Sequence, residues 1–301
     1  MSGGEKLDKI IKSIYGENVR IKRRRSVSGG DINRAYALEL SDGNRVFMKA
    51  NRKDNQDFFR AESEGLAAIK STKTVRAPEV ISIGTNTNES FLLLEYIESG
   101  LPGKGASEEL GTVLARMHMA DTSTFVKNGL YGFIADNYIG AGEQINTPKM
   151  TWIEFFIECR LRPQFRRAKH YFDKEERKDI EVFISRLDGY LAEPKYPSLI
   201  HGDLWAGNYM IDQDGHPWLI DPAAYVGHHE ADLAMTELFG GFDRYFYDAY
   251  KSTAGIDVDY KDRKDLYNLY HLLNHLNLFG GGYLHSIKSI IRARTCPCPI
   301  F

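Results

Sequence analysis

The chain has 301 residues, 43% hydrophobic and 27% charged, with a formal net charge of −2. That is enough length for one two-lobed domain or two small ones, and an ordinary balance for a globular protein. It offers no global electrostatic case for nucleic acid or an anionic membrane, and no segment approaches the roughly 18–20 apolar residues that span a bilayer.

The N-terminus, MSGGEKLDKI, lacks the apolar core and cleavage site of a secretory signal. Val19 to Arg25 reads as a strand, and its basic run of Arg20, Lys22, Arg23, Arg24 and Arg25 reads as a solvated face near a phosphate entrance. After Ser26 to Asn33, which contains Gly29-Gly30, Ala35 to Leu40 is a second strand. Ser41-Asp42-Gly43-Asn44 is a turn, and Arg45 to Ala50 a third strand carrying Lys49 near its end. Asp57 to Ser71 has helical period and few breakers. Val80 to Gly84 and Ser90 to Ile97 look like two further strands. Ser99 to Gly105 is rich in breakers and predicts a hinge, dividing the chain into residues 1–98 and 99–301. Helices follow at Glu108–Met119, Thr151–Ala168 (ended or kinked by Pro163) and Asp173–Ala192. Beyond a loop region starting at Leu199 come Glu230–Phe239, Asp243–Ser252 and Lys264–Arg294, the last broken at Gly280-Gly281-Gly282. The fold class is therefore α+β, a small antiparallel sheet with one main helix followed by a larger, mostly helical part.

The three cysteines, Cys159, Cys296 and Cys298, form no disulfide framework and point to a reducing, cytoplasmic compartment. Cys296-Pro297-Cys298 reads as tail, because two thiolates do not close a four-ligand zinc site.

The chemistry concentrates in LIHGDLWAGNYMIDQDGHPWLIDPAAY, from Leu199 to Tyr225. Asp203 precedes Asn208 by five residues, and Asp221 lies thirteen beyond that. One carboxylate at this spacing can orient an attacking hydroxyl and take its proton, while an amide and a second carboxylate hold magnesium on phosphates. Asp221 follows the apolar run Trp218-Leu219-Ile220, read as a buried strand that delivers it. His201 suits bracing of the loop, and Trp205 either stacking on a ring or packing under it. On the donor side, the amides at Gly29 and Gly30 can approach phosphate oxygens. Lys49 sits where a kinase phosphate lysine would, with Glu62 preferred over Glu64 as its helix partner. Glu95 and Ile97 close the last strand, where main-chain groups of a kinase-like cleft meet adenine.

His201-Gly202-Asp203 and Asp221-Pro222-Ala223 resemble the small-molecule kinases rather than the protein kinases. The particular forms His201-Gly202-Asp203-Leu204-Trp205-Ala206-Gly207-Asn208 and Gly227-His228-His229-Glu230-Ala231-Asp232-Leu233-Ala234-Met235 resemble the fructosamine kinase (ketosamine kinase) family, within the aminoglycoside- and choline-kinase-like group. So do Gly29-Gly30-Asp31-Ile32-Asn33, Val46-Phe47-Met48-Lys49, Asp136-Asn137-Tyr138-Ile139-Gly140 and Gln144-Ile145-Asn146. The resemblance covers nearly the whole chain. It implies a bilobal protein-kinase-like fold, and ATP and Mg2+ as co-substrate and cofactor. The implied substrate is a ketoamine, free or protein-bound, phosphorylated at its 3-hydroxyl to promote deglycation. It makes Asp203 the base, Asn208 and Asp221 the metal ligands, and Lys49 with Glu62 the phosphate-placing pair. It puts Asn137, Trp205, His228 and Glu230 near the acceptor. Some relatives carry a redox-linked cysteine in the glycine-rich loop, but positions 26–34 hold none. Two other readings remain open: a kinase for an aminoglycoside, a choline-like amine or another sugar, and a catalytically silent nucleotide-binding protein. The second is disfavoured because Lys49, Asp203 and Asp221 are all present.

Overall fold

The computed structural model describes residues 3–27 and 33–295, so the Gly29-Gly30 loop and the Cys296/Cys298 tail lie outside it. The chain opens with helix α1 (Gly3–Tyr15) and strands β1 (Ile21–Val27), β2 (Arg34–Leu40) and β3 (Arg45–Arg52). Helix α2 (Gln56–Ser71) follows, then β4 (Val80–Thr85) and β5 (Glu89–Glu95). The strands form one antiparallel sheet in the order β1-β2-β3-β5-β4, which puts β3 at its centre.

Strand alternation explains the two faces of β3. Val46, Met48 and Ala50 point to a small core closed by Leu7 and Ile11 of α1. Helix α1 is not evident in the charged, glycine-containing N-terminus, yet it seals this face through an apolar stripe at helical spacing. Lys49 faces the other way, level with Ala35 on β2 and Leu92 on β5. Helix α2 packs near that side, contributing Phe59, Leu66 and Ile69 to the large core that continues into the second lobe. Its Gly65 lies against Pro222, where an added Cβ would stand 3.0 Å from the proline ring.

The link after β5 is stitched to the second lobe. The Gly100 amide donates to the Ile211 carbonyl at 2.8 Å, and a Cβ there would sit 2.1 Å from the Asp212 carbonyl oxygen. The larger lobe begins with α3 (Lys104–His118) and a small hairpin of β6 (Asn137–Ile139) and β7 (Gly142–Gln144). The long helix expected from Thr151 runs without a gap but changes pitch: α4 (Trp152–Phe155), a π-helical turn (Phe156–Leu161) and α5 (Arg162–Arg167). Pro163 stands at the start of α5, directly after the π-helical turn. Helix α6 (Lys174–Ser185), capped by Asp173, ends earlier than its expected Ala192.

Two short ladders then frame a loop: β8 (Ser198–Ile200) with β11 (Tyr225–Gly227), and β9 (Tyr209–Ile211) with β10 (Pro217–Leu219). The helices α7 (His229–Leu238), α8 (Arg244–Ala254), α9 (Tyr260–Phe279) and α10 (Leu284–Thr295) complete the lobe. Gly280, at φ +91°, separates α9 from α10 within the expected glycine break. Among the described residues no helix is long and apolar enough to cross a membrane.

Candidate active site

The site is the loop between β8 and β9, the turn after β10, and the inner face of β3. The loop has its tight form because Gly202 takes φ +80° and passes so close to Ala223 that a Cβ would lie 2.2 Å from its carbonyl oxygen. His201 ties loop to strand. Its Nδ1 accepts from the Asp203 amide at 3.3 Å, and its Nε2 meets the Ile220 carbonyl at 2.8 Å. That pairing requires the neutral ring protonated on Nε2, and burial holds the His201 pKa below its usual value.

Asp203 sits half-buried at the loop's centre. Asn208 donates its amide nitrogen to the Asp203 backbone oxygen at 2.8 Å and to its Oδ2 at 3.1 Å. The Asn208 side-chain oxygen is thereby left as an acceptor for something else. Burial, reinforced by the charge of Asp221, pushes the Asp203 pKa up to about 7, against the opposing donor from Asn208. Asp221 itself takes φ +56°, a conformation disfavoured for a residue with a Cβ and one that clusters at functional sites.

Lys49 joins the two lobes. Its Nζ donates to Glu62 Oε1 on α2 at 2.7 Å and also to Asp221 Oδ1. Burial works to lower the Lys49 pKa, but the two carboxylates outweigh it and hold the ammonium charged. Glu62 moves the opposite way from a surface carboxylate: burial and Asp221 raise it against Lys49. One ammonium thus faces Glu62 and Asp221, with Asp203 close enough to Asp221 to feel its charge.

Such a surplus of hard oxygen donors suits a divalent cation. Among the described residues no three His, Cys, Asp or Glu side chains converge to enclose one. Asp221 and the Asn208 oxygen would therefore be joined by phosphate and water oxygens, as magnesium prefers.

Of the acceptor-side candidates, Trp205 is 41% exposed, its indole lying over Gly207 in the same loop. The others are interior. The Asn137 amide donates to the Ala224 carbonyl at 2.8 Å, and its oxygen accepts from Gln144 at 2.7 Å and Asn146 at 2.9 Å. His228 caps α7, accepting from the Glu230 amide at 3.2 Å. Glu230 is gripped by Arg263 through bonds of 2.8 and 2.7 Å. At the end of β5, the Glu95 carboxylate accepts from the Glu79 amide at 3.1 Å, while Ile97 lies two residues beyond the strand.

Sequence reasoning assigned no role to Asp232. Its buried carboxylate accepts from the His201 amide at 2.7 Å and the Gly202 amide at 2.9 Å, and contacts His118 Nε2 at 3.1 Å. His118 in turn meets the Tyr250 hydroxyl at 2.7 Å. Burial alone would raise the Asp232 pKa, but the donors and charge around it hold it low. The available signal was one acid inside the apolar helical run Ala231-Asp232-Leu233-Ala234-Met235.

A family model described as fructosamine kinase matches residues 5–295. A Synechocystis protein named "Probable ketoamine kinase" is 40% identical over 287 residues, covering 94% of this chain and 93% of its own length. The chloroplastic protein-ribulosamine 3-kinase of Arabidopsis thaliana is 39% identical over 282 residues, covering 92% and 83%. The crystal structure of a Thermobifida fusca protein named "putative fructosamine-3-kinase" superposes with a TM-score of 0.82 at 31% identity, over 96% of this chain and 98% of that one. An aminoglycoside phosphotransferase crystallised with AMP-PNP and hygromycin B shares the fold, with a TM-score of 0.63 at 18% identity over 95% and 98%. A bilobal kinase-like architecture, with a loop built around His201-Gly202-Asp203 and a family match along almost its entire length, makes this chain a member of the fructosamine kinase family.

Proposed function

We infer that this protein is an ATP-dependent kinase that phosphorylates a sugar hydroxyl of a ketosamine. The ketosamine class is the one named by its relatives at about 40% identity. The Arabidopsis relative is named a 3-kinase; on our reading a phosphate at the 3-hydroxyl would destabilise the adduct and free the amine. The observation that carries the reading is Lys49 held between Glu62 and Asp221, next to the Asp203–Asn208 pair.

In this reading Asp203 accepts a hydrogen bond from the acceptor hydroxyl, orients it at the terminal phosphate and takes its proton as transfer proceeds. Its raised pKa matches that task, since a base poised near neutrality holds a proton without remaining protonated at higher pH. Lys49, steadied by Glu62, binds the α- and β-phosphates; in doing so it releases the Asp221 carboxylate it now contacts. Asp221 and the Asn208 oxygen would hold Mg2+, which neutralises charge on the phosphates. The His201 and Asp232 hydrogen bonds keep the loop rigid, so that the base does not have to be ordered in the transition state. Trp205 offers an exposed aromatic face beside the base on which a sugar can lie.

Turnover of ATP with ribulosamine, fructosamine, choline and kanamycin tests the reading. It predicts preference for the two ketosamines; preference for choline or kanamycin would overturn the acceptor assignment.

A further inference from the structure

The buried amides behind the site form a connected device. Gln144, at the end of β7, donates to the Ala223 carbonyl at 2.9 Å as well as to Asn137. Asn137, at the start of β6, donates to the Ala224 carbonyl. The hairpin therefore holds two successive carbonyls, the second and third residues after Asp221. It is itself fixed to the large lobe. The Tyr270 hydroxyl on α9 donates to Gln144 Oε1 at 2.8 Å, and Arg167 donates to the Glu143 carbonyl at 2.9 Å. Gln144 and Asn137 are 1% and 4% exposed, so these bonds have no competition from water.

The same hairpin reaches the other lobe. Tyr138, between the two strand ends, packs on Phe58 of α2 with ring centroids 4.1 Å apart. Phe58 lies one helical turn before Glu62, on the same face. One short element thus reaches a neighbour of each group that flanks Lys49: it holds the segment following Asp221 by hydrogen bonds and the helix of Glu62 by a ring contact.

We propose that the β6–β7 hairpin is a latch that sets Asp221 and Glu62 in register across the cleft, with Gln144 and Tyr138 as its positioning residues. The inference rests on the kinase reading above, in which Asp221 binds the metal. In this proposal neither residue contacts substrate. Each acts on the cleft through a bond to another part of the chain, and loosening a group that orients a metal ligand characteristically weakens metal affinity by tenfold or more. Gly140 at φ +59° makes the hairpin's turn, and Gly142 lies so close to Asn274 on α9 that a Cβ would fall 2.9 Å from its side-chain oxygen.

The test is calorimetric binding of ADP with and without Mg2+, which needs no turnover. Gln144→Met keeps the volume and removes the donors. We expect its metal-free ADP affinity to be unchanged and the gain on adding Mg2+ to fall roughly tenfold. Tyr138→Ala, at a half-buried position, should weaken metal-free ADP binding roughly threefold by loosening the helix of Glu62, and Tyr138→Phe should restore it. A folded Gln144→Met with the full Mg2+ gain overturns the latch, as does a Tyr138→Phe as impaired as Tyr138→Ala. Should Gln144→Met fail to fold, the Tyr138 pair decides alone. Asp221→Ala is the reference: if it retains the gain, the metal assignment itself fails and takes the latch with it.

Discussion

The proposed phosphate side and the proposed acceptor side of this cleft are built differently. On the phosphate side, charges from three separate elements meet: Lys49 from β3, Glu62 from α2 and Asp221 from the turn after β10. On the acceptor side, the residues that motif matching singles out have their polar atoms occupied. Asn137 is bonded to Ala224, Gln144 and Asn146, and Glu230 to Arg263. Only Trp205 among them presents a substantial free surface. On the proposed reading, phosphate handling demands a fixed set of charges, whereas a sugar acceptor would be met by the exposed surface of the second lobe.

The comparison can be broken most forcefully at Glu230. Removing its charge as Glu230→Gln leaves Arg263 partly unpaired in the interior and should cost about 3 kcal/mol of stability, read by denaturant unfolding, with little change in acceptor KM. A raised acceptor KM at unchanged stability would return Glu230 to the substrate. Asp221→Ala should lower kcat roughly a hundredfold and remove most of the Mg2+ dependence of nucleotide binding; intact metal dependence would break the phosphate-side account. Trp205→Ala should raise the ketosamine KM roughly tenfold while leaving ATP KM and the melting temperature nearly unaltered, because the ring is exposed. Equal effects on both substrates would remove Trp205 from the acceptor side.

The smallest expected effect is on pH. A base must be deprotonated to act, so kcat/KM for the acceptor should rise with pH through about 7 and then level. The same shift acts on stability with a definite sign. The folded pKa of Asp203 lies above its unfolded value near 4, so ionisation disfavours the fold, increasingly from about pH 4 to 7 and constantly above. Asp203→Asn should therefore stabilise the protein by on the order of 1–2 kcal/mol at pH 8 and by almost nothing at pH 3. A variant less stable at pH 8 than the native chain would contradict the electrostatic picture.

The convergence of Lys49, Glu62, Asp203, Asn208 and Asp221 was legible in the sequence because its parts are local. Asp203, Asn208 and Asp221 belong to one loop and the strand pair after it, and Lys49 with Glu62 to consecutive elements. Most helices from α3 onward, and the break at Gly280, were also expected, although α6 ends before Ala192. What escaped depends on partners distant in sequence. The bond between Asp232 and the His201 amide spans 31 positions, and that between Gln144 and Ala223 spans 79. The π-helical turn at Phe156–Leu161 also left no breaker to mark it. Its buried Arg160 donates to Asn146 at 2.7 Å and stacks on Tyr225, none of which spacing predicts.

The most direct test is single-turnover phosphorylation of ribulosamine by native protein and Asp203→Asn, with Mg2+-ATP affinity measured on the same samples. The account predicts affinity within error of native and phosphoryl transfer slower by about a thousandfold, since only the group that orients and deprotonates the acceptor hydroxyl has been altered. Transfer at the native rate in the variant would contradict it.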